Sequence, residues 1–172
     1  KIDQYRKKDS IISSNTSGIP INQMIEGRSE NFCKNFCGTH FFNPPRYLKL
    51  LEIIPSEKTE ESLIKFLMSY GEKFLGKKTV LCKDTPAFIA NRIGIAGIAA
   101  LFKIIKELQL SIEEVDSLTG PIIGRPKSAT FRTCDLVGLD TLNNVAKGVY
   151  ENCPNDESRD VFKLPDFIDE ML

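Results

Sequence analysis

The spacing of apolar residues changes at Asp84, and nothing else in the 172-residue sequence restricts its fold so tightly. Before that point the apolar residues fall in short runs of strand length, at residues 10–14, 36–42, 47–54 and 78–82, bounded by proline and polar turn residues. After it the pattern is almost entirely helical. The chain is therefore expected to have an α/β part, residues 1–84, followed by an α-helical part, residues 85–172.

Several helices are expected from their end signals. Residues 1–8 look like a helix end, with Ile2 and Tyr5 on one face, and residues 21–28 suit a short helix. Asn15-Thr16-Ser17-Gly18 forms the polar loop at the carboxyl end of the first strand. Thr59 is expected to cap a helix whose first turn carries Glu60 and Glu61, whose apolar face runs Leu63, Phe66, Leu67, Tyr70 and Phe74, and which Gly76 ends. Thr85 as cap and Pro86 at the first helical position open a long helix over 86–108. Ser111 and Glu114 make a capping box for the next helix, which Gly120-Pro121 ends. A loop over 123–129 leads to a helical stretch from Phe131 or Gly138 to Asn152, and a last short helix starts at Leu164-Pro165-Asp166. Three or four short strands and one good helix make a thin layered core. Together with a beginning at Lys1, inside a charged amphipathic segment, this suggests a piece of a longer protein.

Composition removes some function classes. The 23 basic and 23 acidic side chains balance, so no global field draws the chain to nucleic acid or to an anionic membrane. The most apolar stretch, residues 93–102, falls well short of the ~20 residues that span a bilayer and suits a buried or interface helix. Five irregularly spaced cysteines (33, 37, 82, 134 and 153) fit a reducing, cytoplasmic setting. Cys33 and Cys37 have no second Cys/His pair to complete a tetrahedral site, so no metal is expected.

The candidate chemistry centres on His40, the sole histidine, in Gly38-Thr39-His40-Phe41-Phe42-Asn43-Pro44-Pro45. Glu52, twelve residues on, is the one carboxylate in the apolar run Leu50-Leu51-Glu52-Ile53-Ile54. An imidazole at a proline-stopped strand end and a lone carboxylate in the following strand could form an acid/base pair. Each residue also has a plainer use. His40 could be a hydrogen-bonded core residue, Glu52 an edge-strand charge, Ser17 a turn residue before Gly18 and Asn91 a surface helix residue.

Read together, Ser14-Asn15-Thr16-Ser17, Gly38 to Pro45, Leu51-Glu52-Ile53-Ile54, Lys83-Asp84-Thr85-Pro86-Ala87-Phe88-Ile89-Ala90-Asn91-Arg92 and Gly138-Leu139-Asp140 closely resemble the L-3-hydroxyacyl-CoA dehydrogenases of fatty-acid β-oxidation. The resemblance covers nearly the whole chain and is closest to the bacterial multifunctional form, which is joined to an enoyl-CoA hydratase. It implies the C-terminal portion of a Rossmann-like NAD-binding domain followed by a helical domain that binds substrate and dimerises. It further implies NAD-dependent oxidation of the 3-hydroxyl of an acyl-CoA thioester. His40 falls on the family's catalytic base and Glu52 on its partner. Ser17 falls on a serine near both cofactor and substrate, Asn91 on a substrate-holding asparagine, and Asn43 stands near the nicotinamide.

The sequence departs from the family in three places. The Gly-x-Gly-x-x-Gly loop and the acidic ribose partner are missing, as is a basic residue upstream of Ser17. Gly94 and Gly97 lie within the long helix, where they would permit close helix packing. The chain stops before the family's glycine- and lysine-rich end, and the loop from Gly124 to Ala129 lacks the usual glycine-proline pattern. A second reading follows: a non-catalytic dimerisation or assembly fragment of a β-oxidation multienzyme protein.

Overall fold

A computed structural model describes residues 2–172; Lys1, which the sequence puts in the first helical segment, lies outside the described residues. The chain divides into two compact units, one through Ile89 and one from Ala90 to Leu172.

The first unit is built on a four-stranded sheet in the order β1 (Ile12–Ser14), β2 (Phe36–Phe41), β3 (Leu50–Pro55), β4 (Lys78–Leu81). The β1 and β2 strands are parallel, so the chain must cross over between them. It does so through two short helices, α2 (Ile21–Met24) and α3 (Glu30–Lys34), after the opening turn α1 (Ile2–Tyr5). Next, β2 and β3 pair antiparallel, and β3 pairs parallel with β4 across the helix α4 (Glu61–Lys73).

Alternation along the strands gives the sheet two different faces. Cys37, Leu51 and Ile53 pack with Leu63 of α4. On the opposite face Phe36 and Ile54 pack with Ile21, Ile25, Phe32, Cys82 and Phe88. Gly38 belongs to this second face, where a Cβ would stand 2.9 Å from Ile21 Cδ1 and 3.0 Å from Ile54 Cβ. Only glycine lets α2 approach so closely.

Local signals misplace several boundaries. The helix expected over 21–28 stops at Met24, and a further helix follows, capped by Ser29, whose hydroxyl accepts from the Phe32 N–H. Thr59 does not cap α4: its hydroxyl donates to the Phe36 carbonyl, and Glu60 takes the cap position without a side-chain bond. The buried side of α4 is Leu63 with Ile64, Leu67 and Met68, whereas Phe66, Tyr70 and Phe74 form an exposed stacked ladder. Residues 47–49 are loop, because the Tyr47 and Leu48 amides turn back to the Pro44 carbonyl.

The second unit consists of α5 (Ala90–Leu108), α6 (Ile112–Leu118), α7 (Phe131–Val137), α8 (Leu139–Asn152) and α9 (Phe167–Glu170), with short 3-10 turns at Pro121–Ile123 and Arg159–Phe162. Its core gathers Phe102, Ile105, Val115, Phe131, Cys134, Leu142 and Ile168. Phe102 stacks on Phe131 with ring centroids 5.4 Å apart and meets Phe167 edge-on at 5.9 Å. The Ser111–Glu114 capping box forms as the sequence indicates. Gly138, at φ +96°, divides the last long helical stretch into α7 and α8.

Two expectations for α5 fail. The helix begins at Ala90, not Pro86, because Ala87 and Phe88 adopt left-handed conformations, at φ 62° and 51°. Nor do Gly94 and Gly97 mark close packing within the chain: a Cβ added at either would meet nothing within 4 Å.

Candidate active site

Antiparallel register makes His40 and Glu52 direct cross-strand partners. Both therefore point to the face that carries Phe88. His40 is 5% exposed and Glu52 1%. The His40 Nδ1 lies 2.8 Å from Glu52 Oε2. When Glu52 is ionised it can only accept, so Nδ1 is the donor of this bond and Nε2 is the ring nitrogen turned away from it. The second carboxylate oxygen, Oε1, accepts the backbone N–H of Ile89 at 3.1 Å. Burying a carboxylate is expensive unless its oxygens are bonded, and here each has a donor. The Phe42 and Phe88 rings tilt against the imidazole with centroids at 4.5 and 5.7 Å.

Beside the pair lies Cys82, whose amide donates to the Ile53 carbonyl at 2.8 Å. Burial, and secondarily the Glu52 carboxylate, push its thiol up to about 12. Burial does the same to Cys37 on the other face, also to about 12. Both sulfurs are protonated, unreactive packing groups at neutral pH.

Ser17 lies exposed in the loop after β1. That loop is tied down on either side of it, since Ser14 Oγ accepts from the Thr16 N–H and Thr16 Oγ1 accepts from Gly18 and Ile19. Asn43 is also exposed, two residues beyond the end of β2, and its peptide bond to Pro44 is cis. Because β1 and β2 are parallel, the Ser17 and Asn43 loops leave the same end of the sheet. In open α/β sheets that carboxyl end is where ligands are met. Asn91, half-buried, is the second residue of α5 and belongs to the second unit.

Three supporting residues have partners that a reading by motif does not reveal. Asn15 Oδ1 accepts the Phe41 N–H at 2.9 Å and so ties the β1 loop to the residue after His40. The carboxylate of Asp84 accepts from the Ile21 and Asn22 amides, each at 2.8 Å, and from Asn22 Nδ2 at 2.9 Å. Lys77, 9% exposed, aims its ammonium at the loop that follows Asn43. Asn15 and Asp84 stand in motifs that mark the region, but nothing local in the sequence announces their partners. Among the described residues, no cluster of three or more His, Cys, Asp or Glu side chains could hold a metal ion. No helix among them is long and apolar enough to cross a membrane.

Comparison with known proteins identifies both units. Residues 1–85 match the family model described as 3-hydroxyacyl-CoA dehydrogenase, NAD binding domain, and residues 88–170 match 3-hydroxyacyl-CoA dehydrogenase, C-terminal domain. A Bacillus subtilis protein named "Probable 3-hydroxyacyl-CoA dehydrogenase" is 54% identical over 99% of this chain and 22% of its own length. A Rickettsia felis protein named "Putative fatty acid oxidation complex trifunctional enzyme" is 34% identical over 100% of this chain and 24% of its own. Among solved structures, the (S)-3-hydroxybutyryl-CoA dehydrogenase of Ralstonia eutropha superposes with a TM-score of 0.84 at 28% identity, covering 99% of this chain and 57% of that one. The chain thus spans under a quarter of the two curated relatives and somewhat over half of the solved structure.

Proposed function

The chain belongs to the 3-hydroxyacyl-CoA dehydrogenase family, and from that membership we propose that it carries the acid/base half of an NAD-dependent oxidation of L-3-hydroxyacyl-CoA to 3-ketoacyl-CoA, in fatty-acid β-oxidation. Residues 1–84 serve as the C-terminal portion of the nucleotide-binding domain and residues 85–172 as the helical substrate and dimerisation domain. The buried His40–Glu52 pair is the observation that carries this reading.

His40 Nε2 accepts the proton of the substrate 3-hydroxyl while the hydrogen on the same carbon departs as hydride, so the alcohol loses two electrons and becomes a ketone. Glu52 holds Nδ1–H, keeps Nε2 free to act, and stabilises the imidazolium that forms. When bound, NAD supplies the hydride acceptor. Ser17 and Asn43 suit contacts to its nicotinamide end, being exposed, polar and without a charge to lose at the carboxyl end of the sheet. Ser17 and Asn91 are assigned to the acyl-CoA substrate, as groups that hydrogen-bond without titrating. The protein works in the cytoplasm, where its free cysteines stay reduced.

The helical unit favours a homodimer as the working form. Its longest helix leaves Ile93, Ile104 and Leu108 exposed beside two glycines that meet nothing, a face suited to a second copy. Attachment to an enoyl-CoA hydratase domain fits the trifunctional naming of the Rickettsia relative.

The test is turnover by the full-length protein containing this chain. With NAD it should oxidise L-3-hydroxyacyl-CoA thioesters and leave the D isomers untouched. If neither isomer reduces NAD, the dehydrogenase reading fails and the assembly role remains.

A further inference from the structure

Lys77 is a lysine where lysines are seldom found. The residue is 9% exposed, and among the described residues its ammonium meets no carboxylate. Instead Nζ donates to the carbonyl of Pro45 and, at 2.7 Å, to that of Leu48, and it lies 5.7 Å from the centroid of the Phe41 ring. The ammonium thus has two carbonyl acceptors and an aromatic face within cation–π range.

These partners all belong to one stretch of chain. Pro45 and Leu48 lie in the loop that starts at Asn43 and returns to β3; Phe41 is the last residue of β2. Phe42, next along, packs on the His40 imidazole at 4.5 Å. Lys77 itself is anchored by its backbone, which donates to the Gly71 carbonyl of α4 at 2.9 Å. The loop's own bonds are sparse: the Tyr47 and Leu48 amides both turn to the Pro44 carbonyl, at 3.0 and 3.1 Å. A buried cation bonded to neutral carbonyls costs desolvation that an apolar side chain would avoid, and what it adds here is a fixed geometry between the start of β4 and the loop.

We propose that Lys77 is a positioning residue that clamps the 43–48 loop and, through Phe41 and Phe42, fixes Asn43 and the His40 imidazole for hydride transfer. The inference rests on the dehydrogenase reading above. Lys77 touches neither reacting atoms nor cofactor. It acts by holding the segment that does.

The variants are Lys77→Met, which keeps the stem and loses the donors, and Lys77→Arg, which keeps the charge, both in the full-length protein. Hydrogen exchange is followed by mass spectrometry at the loop and at β3, alongside kcat and the KM for NAD. For Lys77→Met, exchange of the Tyr47 and Leu48 amides should quicken on the order of tenfold or more while β3 stays within about twofold of the parent. In the same variant kcat should fall and the KM for NAD rise, each on the order of tenfold, with Lys77→Arg recovering most of both changes. An unchanged loop, or a loop and β3 that loosen together, would overturn the clamp. A loosened loop with unaltered kcat and KM would overturn its role in the reaction. Absence of turnover in the parent protein would instead strike the dehydrogenase reading, and the positioning role with it.

Discussion

The backbone amide of Ile89 bonds the one oxygen of Glu52 that His40 leaves free, at 3.1 Å. The carboxylate is thus held from two directions, by the neighbouring strand and by the turn that follows β4, so its orientation does not depend on the histidine alone. A carboxylate fixed in this way can fix the imidazole in turn.

Removing it should therefore unsettle the fold as well as the chemistry. Glu52→Ala takes the acceptor from a buried His40 Nδ1–H and one acceptor from the Ile89 amide, and is expected to lower stability by about 2–4 kcal/mol in urea titration. Glu52→Gln keeps an acceptor and the volume. It should cost less than half as much stability yet still depress turnover.

Asp84 organises the amino end of α2 by accepting three N–H bonds while half-buried. Asp84→Ala is expected to cost about 1–3 kcal/mol in the same titration. Amide exchange at Ile21 and Asn22 should rise more than at Ile53, which keeps its place in the sheet centre.

The left-handed Ala87 makes a backbone prediction. Glycine there relieves about 1–2 kcal/mol of strain but loses a buried methyl and adds unfolded-state freedom, so Ala87→Gly should change stability by less than about 1 kcal/mol. A β-branched side chain has no such offset. Ala87→Val should lose about 2 kcal/mol or more by thermal or urea unfolding.

Thiol titration supplies the pH dependence. The Cys37 and Cys82 thiols are raised from 9.0 to about 12 and Cys134 to about 11, chiefly by burial. Below pH 9 these thiols are protonated in both folded and unfolded chains, and their contribution to stability is complete. As the pH climbs from 9 toward 12 the unfolded chain ionises first, so stability falls through that window. Near pH 8, about where thiols are usually assayed, a thiol reagent should label the half-buried Cys153 on the native protein and spare Cys37, Cys82 and Cys134. Denaturant should expose all five cysteines. Equal labelling rates in the native protein would contradict this burial pattern.

The His40–Glu52 pairing was legible because its signals are local: a histidine before a double proline, then a carboxylate in an apolar strand, at a separation an antiparallel return can close. The division into an α/β and a helical part was legible from periodicity. Tertiary bonds decided what local rules could not. Thr59 resembles a helix cap, but the Phe36 carbonyl lies within its reach and takes the hydroxyl. Thr85-Pro86 resembles a helix start, but the chain first turns left-handed at Ala87 and Phe88, setting Phe88 against His40 and the Ile89 amide on Glu52. The aromatic residues of α4 share a helical face in the sequence, yet the sheet takes the adjacent face with its smaller aliphatic side chains. Lys77 carries no local mark at all, because its partners are about thirty residues away along the chain.

Hydride transfer by His40→Gln in the full-length protein shows whether His40 accepts the hydroxyl proton. Single-turnover formation of NADH from an L-3-hydroxyacyl-CoA should slow by about 10²-fold or more, as removal of a general base predicts, with the Glu52-anchored fold still intact by urea titration. A variant that transfers hydride at the parental rate would contradict a general-base role for His40.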